Sequence, residues 1–324
     1  MVLKRHKRKY QRCAAAHTKQ AKLAYGLQAH TSESDYSPDL LKSRCDDFYA
    51  QNVVATQAKI KYIEECSRLQ AGSGVWHAER RLRLTASQFG RVFRRLSSSK
   101  LAPLVKSILH SPFKGNANTR YGLAHENNTI LGYELEKSRQ GMNIQVAKSG
   151  LVISSDHPFL AASPDGIVRK DGEAIGLVEV KNLLRNKRLN LVQAARGKNF
   201  CLEMVNNQLR LKPKHDYYYQ CQGQLLVCAL DWVDFVVRCT DPYQLYIERI
   251  HKDPRLQSEM VSKLSAFYFK ALLPELAAPR YGKWPGIREP GPDWVLIYNF
   301  LKLSCADIQL QCSVNIIKCP NAHL

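Results

Sequence analysis

The sequence predicts an α/β (α+β) fold in which helices flank a central mixed β-sheet, with an N-terminal helical extension. The first observation is a meander, because residues 142–182 alternate apolar and polar side chains between turn signals. The second is that residues 119–137 and 215–230, on either side of it, have the apolar spacing of helices. The third is a pair of strand patterns at 231–238 and 243–250. A chain of 324 residues that is 45% hydrophobic can bury one sizeable core around these elements.

Residues 1–37 are polar and basic, and we expect a flexible arm there. The opening letters, MVLKRHKRKYQRC, lack the apolar stretch of a secretory signal and resemble a nuclear-localisation or nucleic-acid-binding tail. No run of about 18 apolar residues occurs, so we expect neither a membrane-spanning helix nor a membrane partner. The ten cysteines include no CxxC pair. These features predict an intracellular protein with reduced thiols, in the nucleus if the source is eukaryotic.

Apolar spacing and cap signals predict five helices between this arm and the meander. They lie at about residues 39–70, 76–81, 85–93, 100–110 and 119–137. The first fills a helical extension over residues 38–74, which ends at a Gly-Ser-Gly sequence. In the fifth, Leu123, Ile130 and Leu131 are expected to pack inward. Glu126 lies within about a turn of that apolar face, where an acid is more often a helix-edge residue than a ligand.

A possible anion site occurs at the start of the third helix, where Thr85-Ala86-Ser87 forms a cap sequence and Arg80 lies just upstream. A helix N-terminus with a hydroxyl and a nearby arginine can bind a phosphate group. Ser87 and Arg80 are the candidate ligands. The alternative is that Thr85 or Ser87 merely caps the helix, and both interpretations can hold together.

An Asp, a Glu and a Lys lie on two neighbouring strands of the meander, in SPDGIV and GLVEVKN. Asp171-Gly172 between them is a strong hairpin signal. Because side chains alternate along a strand, Glu179 and Lys181 share one face. The two carboxylates of Asp165 and Glu179 and the ammonium of Lys181 can therefore converge at one sheet edge. Carboxylates suit Mg²⁺, and a lysine beside them can orient water or stabilise charge on a phosphodiester. The alternative is a surface hairpin with an exposed Glu–Lys pair of little energetic value.

The helix predicted at 215–230 contains three glutamines among apolar residues. Gln220 and Gln224 lie on one line of this helix, and Gln222 lies off it. Amide side chains among the apolar residues of a helix could orient water or contact the backbone. The alternative is that the glutamines lie along a partly exposed edge of the helix. Asp156, before His157-Pro158, is either a turn residue or a third acid near the carboxylates.

The remaining segments are predicted to be a helix at 190–196, a polar loop at 197–212, a helix at about 254–273, and a tail at 276–324 with a short helix at 294–303. In the tail, Cys305, Cys312 and Cys319 recur every seven residues near His323. Zinc knuckles use tight CxxC spacing, so this pattern disfavours a zinc site.

The positive charge of the chain, +20 overall, is concentrated in three stretches. Residues 1–24 and 80–106 each hold eight lysines and arginines with no acid, and residues 181–214 hold nine against Glu203. Two of these stretches flank the carboxylate hairpin in sequence. Neutralising the phosphate backbone supplies much of the affinity for nucleic acid, so the pattern favours nucleic-acid contact over a merely solvated face.

Five motifs in order resemble the PD-(D/E)xK nuclease superfamily, and most closely its lambda-exonuclease and YqaJ-type viral recombinase family. They are WHAERRLRLTAS, GLAHE, SPDG, EVK and YYYQCQGQL. The resemblance covers about residues 75–275 and implies a restriction-endonuclease-like core. It also implies a Mg²⁺-dependent deoxyribonuclease, an exonuclease acting on duplex DNA ends in recombination or repair. A single-strand annealing recombinase and other copies of the chain are the further partners it suggests.

The resemblance assigns roles to individual residues. It implies that Asp165 and Glu179 bind the catalytic Mg²⁺, or Mn²⁺, that Val180 offers its carbonyl, and that Glu126 serves a second ion or its water. In-line attack by a metal-activated water on a DNA phosphodiester is the chemistry that follows.

Four further residues receive roles from the same resemblance. Lys181 would position or activate the attacking water, and Gln220 would help to orient it. Arg80 and Ser87 would bind a 5′-terminal phosphate. Asn182-Leu183 replaces the Cys-Pro that usually follows the family's lysine, so the exit from this strand is expected to differ.

Two alternatives from other functional classes remain. The first is a DNA-binding module that keeps the fold but not the catalysis, which the three basic stretches alone could support. The second is a structural interaction protein that assembles through the helix at 39–70.

Overall fold

The computed structural model describes residues 36–96, 98–111, 115–183, 190–282 and 286–289. The predicted arm up to residue 35, the predicted helix at 294–303 and the cysteines Cys305, Cys312 and Cys319 lie outside the described residues. Within the described ranges, every helix is too short or too polar to cross a membrane.

The helices, numbered in chain order, are α1 Pro38–Phe48, α2 Gln57–Cys66, α3 Gly74–Arg81, α4 Ala86–Phe93, α5 Ala102–Leu109, α6 Ala117–Arg139, α7 Leu191–Ala195, α8 Asp216–Cys228, α9 Pro254–Phe267 and α10 Leu273–Ala277. The strands are β1 Leu84–Thr85, β2 Gln145–Ala147, β3 Val152–Ile153, β4 Leu160–Ala162, β5 Gly166–Lys170, β6 Glu173–Leu183, β7 Leu202–Val205, β8 Gln208–Leu211, β9 Trp232–Thr240 and β10 Tyr243–His251. Two π-helical turns, Tyr49–Val53 and Tyr268–Leu272, and a 3₁₀ turn, Gln70–Gly72, are also present.

The chain divides into two compact units. One lies within Met1–Tyr49, Lys100–His110 and Ala266–Leu324, and the other within Ala50–Ser99 and Ser111–Ser265. In the described part of the first, the regular elements are helices, and the ring of Tyr49 packs against those of Tyr268 and Phe269. The second contains all the described strands. The domain boundaries expected from the sequence remain predictions.

The central sheet has five strands in the order β10-β9-β6-β5-β2. β6 and β9 are parallel, and the other three pairings are antiparallel, so the predicted mixed sheet is confirmed. On one face, Tyr133 of α6 shares a buried cluster with Val178 and Val180 of β6. On the other face, Leu225 of α8 shares a buried cluster with Leu177. Helices therefore flank the sheet, and alternate residues of β6 face different helices.

The predicted hairpin between β5 and β6 is confirmed. Asp171 and Gly172 have φ values of 52° and 86°, as a tight type I′ turn requires. The register pairs Gly166 with Val178. Asp165, one residue before β5, is therefore level with Glu179 on β6.

Helix α8, which carries the glutamines, forms over the predicted segment and packs closely on α4. A side chain at Gly223 would clash with the ring of Phe89, so this glycine permits the close approach of the two helices. Helices α3 to α7 and strands β9 and β10 also form within a few residues of their predicted positions.

The predicted continuous helix at 39–70 is wrong. A π-helical turn and three non-helical residues separate α1 from α2. The carbonyl of Val53 accepts a hydrogen bond from Nη2 of Arg83 at 2.8 Å. Oγ1 of Thr56 then caps α2 by accepting from the Lys59 N–H at 3.3 Å. These bonds stabilise the break although the apolar spacing is nearly continuous.

The predicted polar loop at 197–212 is also wrong, because it contains the β7–β8 hairpin. Asn206 and Asn207 form its turn with φ values of 48° and 62°. Asparagine tolerates this left-handed conformation better than most residues, so the Asn-Asn pair was a turn signal that the prediction missed. The helix predicted to reach about residue 273 instead gives way to a π-helical turn after Phe267.

The inward face predicted for α6 is partly wrong. Leu123 and Leu131 are 67% and 57% exposed, whereas Ile130 is partly buried as expected. The buried residues of this helix include Tyr133 and Lys137, and both reach Asp234 of β9. A buried carboxylate about a hundred residues away thus decides which face of α6 turns inward.

Candidate active site

Two cavities in the strand-containing unit share Leu123, Glu126 and Asp165. The larger, of about 520 Å³, is lined on its other side by Val180, Lys181, Asn182, Tyr217 and the N-terminal turns of α6. The smaller, of about 250 Å³, extends towards Gln70, Trp76 and Lys148. The predicted acids therefore lie where two open spaces meet.

Asp165 is held by the backbone of the neighbouring strand. Its Oδ2 accepts a hydrogen bond from the Val180 N–H at 2.7 Å. The residues before it are also tethered, because the Pro164 carbonyl accepts from the amide of Gln70 at 3.1 Å and Ser163 Oγ accepts from the indole N–H of Trp76 at 2.9 Å. Side-chain contacts from outside the sheet thus fix the loop that carries this carboxylate.

Glu179 is buried, with 1% of its side chain exposed. Its Oε1 accepts from Nε2 of Gln220 at 2.6 Å, and its Oε2 accepts from Nε2 of Gln224 at 2.6 Å. Nζ of Lys181 also contacts Glu179 Oε1 in an ion pair. The predicted shared face of Glu179 and Lys181 and the predicted line of glutamines are both present, and they meet at one carboxylate.

The charges at this site do not balance. Burial, and after it the negative charges of Glu179 and Glu126, raises the pKa of Asp165 well above its usual value. Burial and the charge of Glu179 likewise raise the pKa of Glu126. For Lys181, burial lowers the pKa, but Glu179 and Asp165 more than offset it and raise the pKa above its ordinary value. Three carboxylates therefore share one ammonium, which stays protonated.

Such a site can accept a hard divalent cation. Among the described residues, no group of three His, Cys, Asp or Glu side chains is gathered closely enough to hold a metal. Mg²⁺ commonly takes only one or two carboxylates and completes its shell with water and phosphate oxygens. Asp165 and Glu179 supply oxygen ligands, Val180 lines the same cavity, and the excess negative charge would favour a cation.

The predicted anion site forms a chain of contacts. The Arg80 guanidinium lies 4.0 Å from the centroid of the Trp76 ring, and its Nη2 donates to Oγ1 of Thr85 at 3.3 Å. Thr85 Oγ1 is in turn 3.3 Å from Oγ of Ser87, which is exposed. Burial lowers the pKa of Arg80 to about 10, so it remains charged at neutral pH. Gln88 accepts from the Thr85 N–H at 3.3 Å, so capping and the grouping of Arg80 with Ser87 hold together.

The sequence interpretation missed several contacts. The Lys181 ammonium lies 4.6 Å from the centroid of the Tyr217 ring, a cation–π distance. Tyr217 occupies the same helix as the glutamines, one turn before Gln220, so its position was available as a signal. Asp156 is exposed between β3 and β4 and lines neither cavity.

Comparison with known proteins gives relatives in viruses and bacteria. An uncharacterized protein of Acanthamoeba polyphaga mimivirus is 25% identical over 216 residues, which is 64% of this chain. The matched part spans 35% of the length of that relative.

Solved structures are similar at lower identity. The alkaline exonuclease LHK-Exo of Laribacter hongkongensis is 23% identical, with 72% of this chain and 98% of that one covered, at a TM-score of 0.45. The shutoff and exonuclease protein of Kaposi's sarcoma-associated herpesvirus is 13% identical, with 83% of this chain and 94% of that one covered, at a TM-score of 0.43.

The strongest finding is a match to a family. Residues 75–231 match the sequence profile described as the YqaJ-like viral recombinase domain. The match begins one residue before Trp76 and ends just after α8, so it includes Glu126, Asp165, Glu179, Lys181 and both glutamines that bind Glu179. The family resemblance of the ordered motifs is confirmed, and residues 75–231, just under half of the chain, are similar to the YqaJ-like viral recombinase domain.

Proposed function

We propose that this chain is a metal-dependent deoxyribonuclease that hydrolyses DNA phosphodiester bonds from duplex ends. The observation that carries the proposal is the convergence of Asp165, Glu179 and Lys181 beside an open cavity, with too little positive charge to balance the acids. An enzyme that must bind a cation and a phosphodiester together needs such an arrangement.

Asp165 and Glu179 hold the divalent ion in this proposal, with the Val180 carbonyl as a further oxygen ligand and Glu126 near a second ion or its water. A bound Mg²⁺ or Mn²⁺ supplies charge neutralisation for the phosphodiester and makes a water molecule more acidic. The chain's own contacts prepare the ligands. The Val180 N–H fixes Asp165, and the amides of Gln220 and Gln224 fix Glu179.

Lys181 performs the part of the chemistry that needs a fixed positive charge. Its raised pKa keeps it an ammonium, so it donates hydrogen bonds to the phosphate oxygens or to the attacking water and does not act as a base. Gln220 lies beside it on the shared carboxylate and helps to orient the water. Loss of Lys181 removes this fixed positive charge, and loss of Gln220 removes both the positioning of the water and one of the two amides that fix Glu179.

Recognition of a DNA end is the role proposed for the contact chain of Arg80, Thr85 and Ser87. A charged guanidinium beside an exposed hydroxyl at the start of α4 suits a terminal phosphate. Trp76 connects these three residues to the loop that carries Asp165, because its ring contacts Arg80 and its indole N–H donates a hydrogen bond to Ser163. A 5′-phosphate held there would set which end of the DNA enters.

The wider setting follows from the family and the charge. The description of the domain as a viral recombinase supports a role in DNA recombination or repair, with a single-strand annealing recombinase as a partner. The basic stretches support binding along duplex DNA, and assembly with further copies remains part of the proposal. The basic N-terminal segment and the cysteines without CxxC pairs support an intracellular location, in the nucleus if the source is eukaryotic.

The test is hydrolysis of linear duplex DNA labelled at the 5′ or 3′ end, with Mg²⁺, Mn²⁺ or a chelator. We expect metal-dependent degradation, which Asp165→Asn and Lys181→Met each slow by about a thousandfold. Asp156→Asn and Lys170→Met, at exposed sites outside both cavities, are the matched controls and should retain activity. Salt-sensitive DNA binding without hydrolysis in either metal would indicate the inactive binding module instead.

End recognition has its own test. Arg80→Ala and Ser87→Ala should raise KM for 5′-phosphorylated ends by about tenfold and have little effect on 5′-hydroxyl ends, because only the former contain the phosphate to be bound. Equal effects on both kinds of end would remove this role. Arg91→Ala, an exposed arginine on the same helix, is the control.

A further inference from the structure

Asn182, the residue directly after Lys181 on β6, bonds to helix α6 at two points. Its Oδ1 accepts from the hydroxyl of Thr129 at 2.6 Å. Its Nδ2 donates to the carbonyl of Gly122 at 3.1 Å. Glu126 lies between these two points on α6, four residues after Gly122 and three before Thr129. One side chain therefore spans the helical turns that carry this acid.

The bond to Thr129 is well placed to resist movement. Thr129 is fully buried, and its hydroxyl has a single proton to donate. The hydroxyl oxygen lies 2.6 Å from Oδ1 of Asn182 and 3.0 Å from the His125 carbonyl oxygen, so the contact with Asn182 is the shorter. A buried hydroxyl or amide that loses its hydrogen-bond partner lowers the stability of the folded state. The contact between Thr129 and Asn182 is thus more than a surface bond.

The two halves of α6 are attached to the sheet differently. The C-terminal half is anchored by Tyr133, whose hydroxyl donates to Asp234 at 2.8 Å, and by Lys137 at 3.0 Å from the same carboxylate. The N-terminal half exposes Leu123 and has little apolar packing to hold it. Besides Asn182, an exposed bond at 2.9 Å between the hydroxyls of Tyr121 and Thr240 attaches this half to β9.

Electrostatic repulsion acts against this attachment. Glu126 lines the same cavity as Asp165, and Asp165 lies level with Glu179 on the neighbouring strand, so three carboxylates lie close together. Without a restraint, the turn that carries Glu126 would relieve this repulsion by moving away from the sheet. A restraint from β6 itself keeps Glu126 at a fixed separation from the residues next to Asn182 on that strand.

We propose that Asn182 is a positioning residue that fixes Glu126 relative to Glu179 and Lys181, and so sets the affinity for a second divalent cation. This inference rests on the proposed metal-dependent function. It assigns to Asn182 no contact with the reacting atoms. If Asn182 served only to attach a helix to a sheet, its loss would lower stability and leave metal binding unchanged.

The first measurement needs no metal. Amide hydrogen exchange across residues 122–129 should be faster in Asn182→Ala than in the wild type, by about tenfold, with exchange in β9 unchanged. Thr129→Val, which removes one of the two bonds with little change of shape, should give a smaller increase. Asn128→Ala, at an exposed position on the same helix, should match the wild type. Unchanged exchange in both bond-deleting variants overturns the proposal.

The second measurement is calorimetric titration of Mn²⁺ into the DNA-free protein. We expect the wild type to bind two ions, and Asn182→Ala to keep the first and to weaken the second by about tenfold. The Mg²⁺ concentration for half-maximal hydrolysis should rise in the same proportion while KM for DNA stays constant. Identical titrations of wild type and variant overturn this inference alone. A wild type that binds no Mn²⁺ overturns both this inference and the proposed function. Asp165→Asn should lose the first ion, so a comparison of its titration with that of Asn182→Ala distinguishes a defect at the first ion from a defect at the second.

Discussion

Two buried carboxylates on opposite faces of the same sheet illustrate the difference between a structural cluster and a candidate active site. Asp234 is fully buried and contacts the Tyr133 hydroxyl, Lys137, and Nε and Nη2 of Arg249 at 2.8 and 3.0 Å. Burial raises its pKa, but the bonds from Arg249, Tyr133 and Lys137 outweigh burial and lower it. Two positively charged side chains, Lys137 and Arg249, therefore neutralise one carboxylate.

The Glu179 cluster has the opposite balance. Glu179 is as buried as Asp234 and is also fully bonded, to two glutamines and a lysine. However, Asp165 and Glu126 add two more acids, and the cluster opens onto two cavities. A buried acid alone is therefore a poor indicator of function. A deficit of positive charge beside an open space is the better indicator, because something from outside the chain must supply the missing charge.

The largest expected effect is on the stability of the balanced cluster. Asp234→Asn should lower the free energy of unfolding by about 3 kcal/mol, because it leaves the buried ammonium of Lys137 and the guanidinium of Arg249 without their carboxylate. Urea denaturation at neutral pH measures this. An effect below 1 kcal/mol would mean that the cluster contributes little and would break the contrast. Asp231→Asn, at an exposed acid one residue before the same strand, is the control.

A smaller effect of opposite sign is expected at the other cluster. Without divalent cations, Asp165→Asn should raise the free energy of unfolding by about 1 kcal/mol, because it removes a charge that Glu179 and Glu126 repel. Adding Mn²⁺ should stabilise the wild type more than the variant, because the variant lacks a ligand of the first ion. Thermal denaturation with and without Mn²⁺ gives both results. Destabilisation of the metal-free protein by this substitution would show that the acids are balanced after all.

The free energy of unfolding should depend on pH in opposite directions for the two clusters. The pKa of Asp165 is raised in the folded state, so its stabilising contribution is present at low pH and is lost as pH rises through that raised value. The advantage of Asp165→Asn over the wild type should therefore grow with pH. The pKa of Asp234 is lowered, so its contribution is present above the usual carboxyl range and is lost as pH falls. The loss of unfolding free energy caused by Asp234→Asn should therefore become smaller at acidic pH. Unfolding curves from pH 3 to 8, roughly the range in which carboxyls titrate, measure both trends.

Much of the site could be predicted from the sequence because its geometry is local. Glu179 and Lys181 share a face by the two-residue period of a strand, and Asp171-Gly172 places β5 beside β6. A one-residue register shift between Val168 and Arg169, which the turn sequence does not indicate, then brings Asp165 level with Glu179. Gln220 and Gln224 share a line by the period of a helix. These relations involve neighbours within one or two elements, which sequence spacing describes well.

The errors arose where a distant partner decides the outcome. The buried face of α6 depends on Asp234, which helical spacing cannot indicate, and the break after α1 depends on Arg83. The role of Asn182 was visible only as an unexpected residue after Lys181, because both of its partners lie more than fifty residues earlier. Long-range hydrogen bonds of this kind require the folded structure.

The most direct test of the central claim is anomalous diffraction from a crystal soaked in Mn²⁺. The account predicts an anomalous peak within bonding distance of the Asp165 and Glu179 carboxylates, and no peak beside Asp234, although both carboxylate clusters are buried. A peak absent from Asp165 at saturating Mn²⁺, or present beside Asp234 instead, would contradict the account.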